Sequence, residues 1–300
     1  MTRTVPELRL AIDADTYLGE TPVWSVEEQA LYWINCEHEP MLSRWEQASG
    51  ARRDWPMPQR IGGFVLKDGG GAIVVLARGL YDFDFATGEL TLRVASPLPD
   101  HISLHEVQCD RDGRLWVGAI NHRLRDTPEL PGGGMLFRLD RDRLVPEVEG
   151  INCANGLAFS PAGDRLYLSD SPKATVECWT LERSTGRLSD RRTFATIAAG
   201  DGFVDGATVD SQGGYWATLV YGSAIRRYAP DGRVTDELSL PFGNPTKVAF
   251  GGPDMRTLFV TTTRMVGRTG KPNPGQDMLG GIYSVDLDVA GLPDPMFREG

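Results

Sequence analysis

The chain has 300 residues, of which 41% are hydrophobic and 24% are charged, a composition typical of a folded globular protein with a large core. Its formal net charge of -10 disfavours binding to nucleic acid or to anionic membranes, so we expect neither as a partner. The start of the chain lacks the apolar stretch of a signal peptide, and no apolar run is long enough to predict a membrane helix. We therefore expect a cytoplasmic protein.

One pattern recurs six times along the chain: an apolar run, a turn rich in Asp, Gly or Pro, and a second aromatic or β-branched run. Each occurrence predicts a β-hairpin. A third strand follows each hairpin, and a fourth lies in the segment that leads to the next one. The six hairpin segments, in chain order, are PVWSVEEQALYWIN, GFVLKDGGGAIVVL, EVQCDRDGRLWVGA, GLAFSPAGDRLYLSD, GATVDSQGGYWATL and KVAFGGPDMRTLFVTT.

The spacing of these hairpins indicates the architecture. Equivalent positions in successive second strands are 41 to 51 residues apart, which is the size of a propeller blade. The pattern predicts one all-β domain over residues 1–300, a six-bladed β-propeller with four antiparallel strands per blade. A two-sheet sandwich or an up-and-down barrel does not explain a six-fold repeat. The segment LRLAID near the N-terminus is predicted to complete the last blade.

Polar residues recur at a fixed offset within the repeat. In a propeller the first strand of each blade lines the central channel, so residues that begin these strands meet at one mouth. Glu20 and Asn155 lie 12 residues before their second-strand positions, and Asp205 lies 11 before its own. His105 also lies at an offset of 11, with Glu106 beside it. These residues are therefore predicted to face one another.

The second and sixth repeats differ from this pattern. The sixth offers Thr246 and Lys247 at offsets of 13 and 12, whereas the second offers only Ile61 and Gly62. Five of the six blades thus direct a polar or ionisable group to the same mouth.

Glu20, Asn155 and Asp205 together suggest a metal site. Two carboxylates and an amide oxygen are hard ligands that suit Ca²⁺, Mg²⁺ or Mn²⁺, and Zn²⁺ and Fe²⁺ are also compatible. The alternative is that the dipeptides Asn155–Gly156 and Asp205–Gly206 are hairpin turns. The offset that they share with Glu20, which is not in a turn dipeptide, favours the metal site.

Four segments resemble motifs of the senescence marker protein, gluconolactonase and luciferin-regenerating enzyme family of six-bladed propellers. The resemblance extends over nearly the whole chain. It implies hydrolysis of a small lactone with one bound divalent cation, the metal ligands being Glu20, Asn155 and Asp205, and Asp205 also being the base. The segments are LGETPVWS, INCANGLAFSPAGDRLYLSDS, VDGATVDSQGGYWATL and PTKVAFGGPDMRTLFVTT.

The chain departs from this family in the third blade. Sugar-lactone members typically carry R-x-N-D-G there, and its Arg and Asn contact substrate hydroxyls. In this chain Ser103, His105 and Glu106 replace the Arg, Asn and Asp. In the following loop, Arg123 is the counterpart of an acidic residue that contacts sugar in some members. The predicted substrate-binding residues are therefore Ser103, His105, Glu106 and Arg123, and the Arg and Asn contacts that are usual for aldonolactones are not retained.

The chemistry of these residues suits lactone opening. A divalent cation held by three protein groups polarises a carbonyl, and Asp205 would accept the proton of the attacking water. His105 is predicted to transfer a proton, contact the substrate or join the metal ligands, unless it is only a polar loop residue. The planar guanidinium of Arg123, or that of Arg125, suits a carboxylate, sulfonate or phosphate on the substrate.

The predicted function is thus metal-dependent hydrolysis of a sugar-acid lactone or of a related cyclic ester that carries an anionic group. A metal-dependent aryl or phosphate esterase is one alternative, and a non-catalytic metal-binding propeller is another. The long segments 121–134 and 263–281 are predicted either to cover the mouth or to be ordered surface loops. We expect a small-molecule substrate and a monomer or weak homo-oligomer.

Overall fold

The computed structural model describes residues 2–5, 7–125, 133–265 and 274–299. Within these ranges the secondary structure is almost entirely β, with three 3-10 helices at His122–Arg125, Ser171–Lys173 and Gln276–Met278. None of the helices described is long and apolar enough to cross a membrane. The strands of the first half are β1 (Thr2–Thr4), β2 (Arg9–Ile12), β3 (Gly19–Ser25), β4 (Ala30–Asn35), β5 (Met41–Glu46), β6 (Arg52–Pro56), β7 (Ile61–Leu66), β8 (Ala72–Leu76), β9 (Gly79–Phe83), β10 (Leu90–Ala95), β11 (Ile102–Cys109) and β12 (Leu115–Asn121). Those of the second half are β13 (Gly134–Asp140), β14 (Arg143–Ile151), β15 (Ala154–Phe159), β16 (Arg165–Asp170), β17 (Thr175–Glu182), β18 (Arg187–Thr196), β19 (Phe203–Val209), β20 (Tyr215–Val220), β21 (Ala224–Tyr228), β22 (Val234–Ser239), β23 (Pro245–Gly251), β24 (Thr257–Thr262) and β25 (Ile282–Asp286).

These strands form six antiparallel sheets, and each sheet is one blade. The blades start from the innermost strands β3, β7, β11, β15, β19 and β23, and successive strands follow outward in chain order, except for the outermost strands of blades 5 and 6, which come from the start of the chain. Each innermost strand contacts those of both neighbouring blades, and the last contacts the first, so the ring is closed. The predicted six-bladed propeller with four antiparallel strands per blade is confirmed.

The N-terminal segment closes the ring in two ways. β2 pairs antiparallel with β25 and supplies the outer strand of blade 6, as the segment LRLAID predicted. β1 pairs parallel with β22 and adds a fifth strand to blade 5, which the sequence did not predict. The start of the chain therefore joins the last two blades.

The apolar core consists of six clusters, one between each pair of adjacent blades. Trp116 packs between blades 3 and 4, Trp216 between blades 5 and 6, and Trp24 between blades 6 and 1. Full burial of one large apolar side chain stabilises a fold by about 1.5–3 kcal/mol. The tryptophans of the hairpins therefore hold neighbouring blades together.

The C-terminal segment crosses the end of the channel that is remote from the predicted site. Its backbone forms bridges from Gly291 to Asp210 of blade 5 and from Phe297 to Lys67 of blade 2. Between these bridges, Gln108 of blade 3 donates a 3.2 Å hydrogen bond to Asp294. This segment leaves the opposite mouth as the place where a substrate can enter.

Candidate active site

The innermost strand of every blade contains a β-bulge close to the predicted mouth. A bulge bends a strand and re-aims the side chains beside it, and bulges are common next to active sites. The same irregularity in all six blades therefore turns equivalent side chains toward one place. The register shifts lie between Glu20 and Val23, Ile61 and Gly63, His105 and Val107, Asn155 and Ala158, Val204 and Ala207, and Pro245 and Val248.

The Asn-Gly and Asp-Gly dipeptides of the site are not hairpin turns. Asn155–Gly156 lies inside β15 and Asp205–Gly206 inside β19, in each case at a bulge. Gly156 has a φ of 58°, and a Cβ atom there would come within 2.4 Å of the Tyr215 hydroxyl oxygen. Glycine is required here by both conformation and space, so the alternative interpretation of these dipeptides as turns is wrong.

The amide of Asn155 has a defined orientation. Its Nδ2 donates a hydrogen bond to Ser171 Oγ at 2.9 Å, and Ser171 Oγ donates onward to the carbonyl oxygen of Val204 at 2.7 Å. Its Oδ1 lies 3.2 Å from His105 Nε2. An amide oxygen has two acceptor sites, so Oδ1 can accept from His105 and still bind a cation.

The surroundings of the two predicted carboxylate ligands, Glu20 and Asp205, disfavour their negatively charged forms. Burial raises the pKa of Glu20 to about 7; the ammonium of Lys247 opposes this shift and the carboxylate of Glu106 adds to it. Burial also raises the pKa of Asp205 well above its usual range, and the charge of Glu20 raises it further. Carboxyls in this situation release their protons readily only when a cation is near.

A buried ion pair lies between these carboxyls and the far end of the channel. Lys247 Nζ donates to Glu106 Oε1 at 2.5 Å, and the side chains are 4% and 3% exposed. Lys247 packs against Gly206, where a Cβ atom would come within 2.2 Å of its Cγ. The bulge gives Glu106 a φ of 32°, which turns its side chain inward. The carboxylate of Glu106 is therefore engaged with Lys247.

The other residues predicted to bind substrate lie at the mouth on blade 3. Strands β11 and β12 pair Ile102 with Asn121, so the residues after β12 lie at the same mouth as the start of β11. Ser103 Oγ lies 2.6 Å from Nε2 of His122, a residue that is not among the sequence-predicted contacts. Arg123 is exposed, and its backbone N–H donates to Asn121 Oδ1 at 3.1 Å.

The two segments predicted to cover the mouth are described only in part. Residues 126–132 of the first, residues 266–273 of the second and the side chain of Arg125 lie outside the described residues. Their role in covering the mouth stays a prediction.

His105 is a neutral imidazole in this arrangement. Burial lowers its pKa to about 3, and the positive charge of Arg60 contributes to the decrease. When Nε2 donates to Asn155, Nδ1 is left as an acceptor, and it is buried without a hydrogen-bond partner among the described residues. His105 is thus a weak base with one unused acceptor atom.

Arg60 is a residue of the mouth that the sequence did not predict. The repeat indicated Ile61 and Gly62 as the contribution of the second blade, but the side chain that acts on the site belongs to the residue before them. Arg60 lies 13 residues before its second-strand position, the same offset as Thr246 in the sixth repeat. A wider offset window would have included it.

The donor set fits a divalent cation. Glu20, Glu106 and Asp205 are three carboxylates that share one buried ammonium, that of Lys247. When all are ionised, two negative charges remain uncompensated, which is the charge that one divalent cation neutralises. Among the residues described, no three His, Cys, Asp or Glu side chains are grouped to hold a metal alone. A site here therefore requires the amide oxygen of Asn155.

Replacing Glu20 with glutamine is expected to change stability in opposite directions without and with a divalent cation. Glu20 loses its proton near pH 4.5 in the unfolded chain but only near pH 7 in the folded protein. Glu20 therefore lowers the free energy of unfolding increasingly as the pH rises from 4.5 to about 7, and the full loss persists at higher pH. Glutamine keeps an oxygen for the Thr21 N–H, which donates to Glu20 at 3.0 Å. Metal-free Glu20→Gln should therefore be more stable than the parent at pH 8, by about 3 kcal/mol, with little advantage at pH 4.

A bound cation should reverse this order. Ca²⁺ at a hundred times its dissociation constant stabilises the parent by about 2.7 kcal/mol and should stabilise Glu20→Gln far less. Urea unfolding at both pH values, in chelator and in Ca²⁺, measures the effect, with exposed Glu27→Gln as the control. The low pKa of His105 makes the free energy of unfolding depend on pH with the opposite sign. This contribution is the same in the parent and in the variant, so it cancels in their difference. Equal stabilisation of Glu20→Gln by the cation would exclude Glu20 as a ligand.

Comparison with known proteins agrees with the motifs and the fold. A family model described as "SMP-30/Gluconolactonase/LRE-like region" matches residues 18–264. The chain belongs to this family. It is 35% identical over 294 residues to the 6-deoxy-6-sulfogluconolactonase of Pseudomonas putida, covering 97% of this chain and 98% of that protein. It is 31% identical over 293 residues to a pentonolactonase of Haloferax volcanii, covering 94% and 95% of the two chains.

A solved structure has the same fold. The calcium-binding protein regucalcin of Agrobacterium tumefaciens superposes with a TM-score of 0.91 at 22% identity, over 100% of both chains. At this identity the similarity concerns the propeller fold alone, which extends over the whole length of both proteins.

Proposed function

We propose that this protein is a divalent-metal-dependent hydrolase that opens a sugar lactone or a related cyclic ester that carries an anionic group. The observation that supports the proposal is that Glu20, Asn155 and Asp205 lie on the innermost strands of three blades, where the charge of Glu20 acts on Asp205. The family relation supports it, because a relative 35% identical over 97% of the chain is named a lactonase.

In this proposal Glu20, Asn155 and Asp205 hold the cation. When bound, a divalent cation polarises a lactone carbonyl and makes a nearby water more acidic. Ca²⁺, Mg²⁺ and Mn²⁺ suit the oxygen donors best, and Zn²⁺ and Fe²⁺ are also included in the proposal.

Asp205 is proposed as the general base. The water oxygen bonds to the carbonyl carbon while Asp205 accepts a proton from that water. The ring C–O bond then breaks, and the proton passes from Asp205 to the ring oxygen, so that the product is an open-chain hydroxy acid. Because burial and the charge of Glu20 raise the pKa of Asp205 in the metal-free protein, the carboxylate form needed for this role requires a neighbouring positive charge.

His105 is proposed as a substrate contact in preference to a second base. Its pKa of about 3 in the metal-free protein makes it a poor proton acceptor near neutral pH, whereas its unpartnered Nδ1 suits a hydroxyl of the substrate. Ser103, with its partner His122, and Arg123 remain proposed contacts at the rim of the mouth. For Glu106 we propose the role of counterion to Lys247.

The test is metal-dependent acid release from a lactone panel. Chelator-treated protein receives Ca²⁺, Mg²⁺, Mn²⁺, Zn²⁺ or Fe²⁺ singly, and a pH indicator follows hydrolysis of gluconolactone, a pentonolactone and a gluconolactone with a sulfonate on carbon 6. Turnover that disappears in chelator and returns with a cation is expected. Turnover of aryl or phosphate esters without any lactone would instead favour an esterase. Cation binding without turnover of either class would indicate a binding protein.

A further inference from the structure

Arg60 is positioned at the mouth by the backbone of blade 2. It is the last residue before β7, and its carbonyl oxygen accepts a 3.0 Å hydrogen bond from Ala77 N. Gly62, two residues after Arg60, lies directly against blade 3, because a Cβ atom there would come within 3.0 Å of the His105 Cα. The side chain of Arg60 therefore starts beside the residue that replaces the family's sugar-binding Asn.

The guanidinium of Arg60 has one nitrogen that is hydrogen-bonded to the protein and another that has no partner among the described residues. Its Nε donates to Glu37 Oε1 at 2.9 Å, and the side chain is 17% exposed. Its Nη1 is buried and has no hydrogen-bond partner among the described residues. Leaving a buried charged donor unpaired is costly, so this atom is expected to be satisfied by a group that is not part of the chain described.

The charge of Arg60 acts across the mouth. Burial raises the pKa of Glu20 and Cys153 and lowers that of His105, and the positive charge of Arg60 lowers all three. Glu20 belongs to blade 1, His105 to blade 3, and Cys153 directly precedes β15 of blade 4. The positive charge of Arg60 therefore acts on side chains of blades 1, 3 and 4.

The other charges of the mouth define what Arg60 can bind. Lys247 is already bonded to Glu106 at 2.5 Å, and the carboxyls of Glu20 and Asp205 repel an anion unless a cation lies between them. A guanidinium presents N–H donors in a planar fork that can bind two oxygens of a carboxylate, sulfonate or phosphate, and in Arg60 the donor Nη1 has no partner among the described residues.

We propose that Arg60 is the anion-binding residue of the substrate pocket, and that the lactone carries an oxyanion substituent that reaches the blade 2 side of the mouth. This inference rests on the proposed lactonase function. Glu37 orients the guanidinium through Nε and leaves Nη1 for the substrate. The oxyanion replaces the contacts that the absent Arg and Asn of blade 3 make to neutral sugars in other family members.

Substrate pairs that differ only in charge test this proposal. The metal-loaded parent, Arg60→Gln and Arg60→Lys are assayed on gluconolactone, on its analogue with a sulfonate on carbon 6, and on a glucarolactone with a carboxylate at that carbon. Arg60→Gln should lower kcat/KM for the charged lactones by about 10- to 100-fold, mainly through KM, because a charged hydrogen bond is lost. It should change neutral gluconolactone by less than about 3-fold. Arg60→Lys should retain part of the preference, since it keeps the charge but not the fork of donors.

The control is Arg143→Gln, which removes an arginine whose side chain is 80% exposed on blade 3 and should leave all rates unchanged. Sulfonate and carboxylate substrates distinguish the two sources of the oxyanion. An equal loss on charged and neutral lactones would overturn the proposal, as would a parent enzyme that does not prefer a charged lactone.

A binding measurement separates this inference from the proposed function. The ring-opened sulfonated acid is titrated calorimetrically into metal-loaded parent and Arg60→Gln. If no lactone is hydrolysed, the lactonase proposal fails, but about 10-fold or more tighter binding of the acid to the parent still supports the role of Arg60. Equal affinities would exclude it. If Arg60→Gln does not fold, as judged by thermal unfolding, the same comparison is made with Arg60→Lys.

Discussion

Asp205→Asn is expected to lower kcat by about 10²- to 10⁴-fold at saturating cation, because a general base contributes an effect of this size. Asparagine has the shape of aspartate and keeps one oxygen for a cation, but it cannot accept the proton of the attacking water. The loss of one negative charge should also weaken cation binding, and this is measured by calorimetric titration of the metal into the chelator-treated variant. Single-turnover acid release from the preferred lactone separates the loss of the base from the weaker cation binding. Excess cation restores the occupancy of the metal site but not the missing base.

Blade 5, which contains Asp205, also offers a matched control for this substitution. Asp231–Gly232 repeats the Asp-Gly dipeptide at an exposed hairpin turn, where Asp231 Oδ1 accepts the Arg233 N–H at 3.0 Å. Asp231→Asn keeps that acceptor and should leave kcat, metal affinity and stability unchanged. If folded, metal-loaded Asp205→Asn retained turnover within about 3-fold of the parent, an effect far below that of a general base, Asp205 would not be the base.

Lys247→Met is expected to destabilise the fold by about 3–5 kcal/mol, the cost of removing one partner of a buried ion pair. The variant leaves Glu106 unpaired at 3% exposure, next to two further carboxyls whose pKa values burial already raises. Urea unfolding of chelator-treated protein measures the loss. Because three carboxyls then lack a positive partner, saturating Ca²⁺ should recover more stability in Lys247→Met than it adds to the parent.

A double variant distinguishes loss of the pair from loss of packing. Glu106→Gln with Lys247→Met removes both charges and should be clearly more stable than Lys247→Met alone, since the unpaired carboxylate is the main cost. The control Arg187→Met breaks the exposed pair of Arg187 and Glu182, whose atoms lie 3.5 Å apart, and should cost less than about 1 kcal/mol. A double variant no more stable than Lys247→Met would show that the lysine matters only through its apolar stem.

The number of blades and their strand order could be read from the sequence because a propeller repeats a local unit. Each hairpin carries its own turn residues and its own apolar strands, so periodicity alone indicated six blades. Glu20, Asn155 and Asp205 were selected by the same logic, since equivalent positions of equivalent blades point to one mouth. The pairing of β1 with β22 was not predicted, because this edge strand is three residues long and lies outside the repeat.

Side-chain contacts between different blades could not be predicted from the sequence repeat. Glu106 and Lys247 are separated by 141 residues, and nothing in either hairpin indicates that a bulge turns Glu106 inward to meet a lysine from blade 6. The partnership of Ser103 with His122 and the reach of Arg60 across the mouth likewise depend on side-chain direction.

The sequence by itself therefore determined the propeller and the three residues predicted to bind a cation, because both follow from regular alternation and spacing within one blade. Only the tertiary structure decided how the charges of the mouth are distributed. Glu106 is neutralised from within by Lys247, whereas the buried Nη1 of Arg60 remains unpartnered among the described residues. Electrostatic interactions depend on distances between blades and on exclusion of water, and these quantities do not exist until the ring is closed.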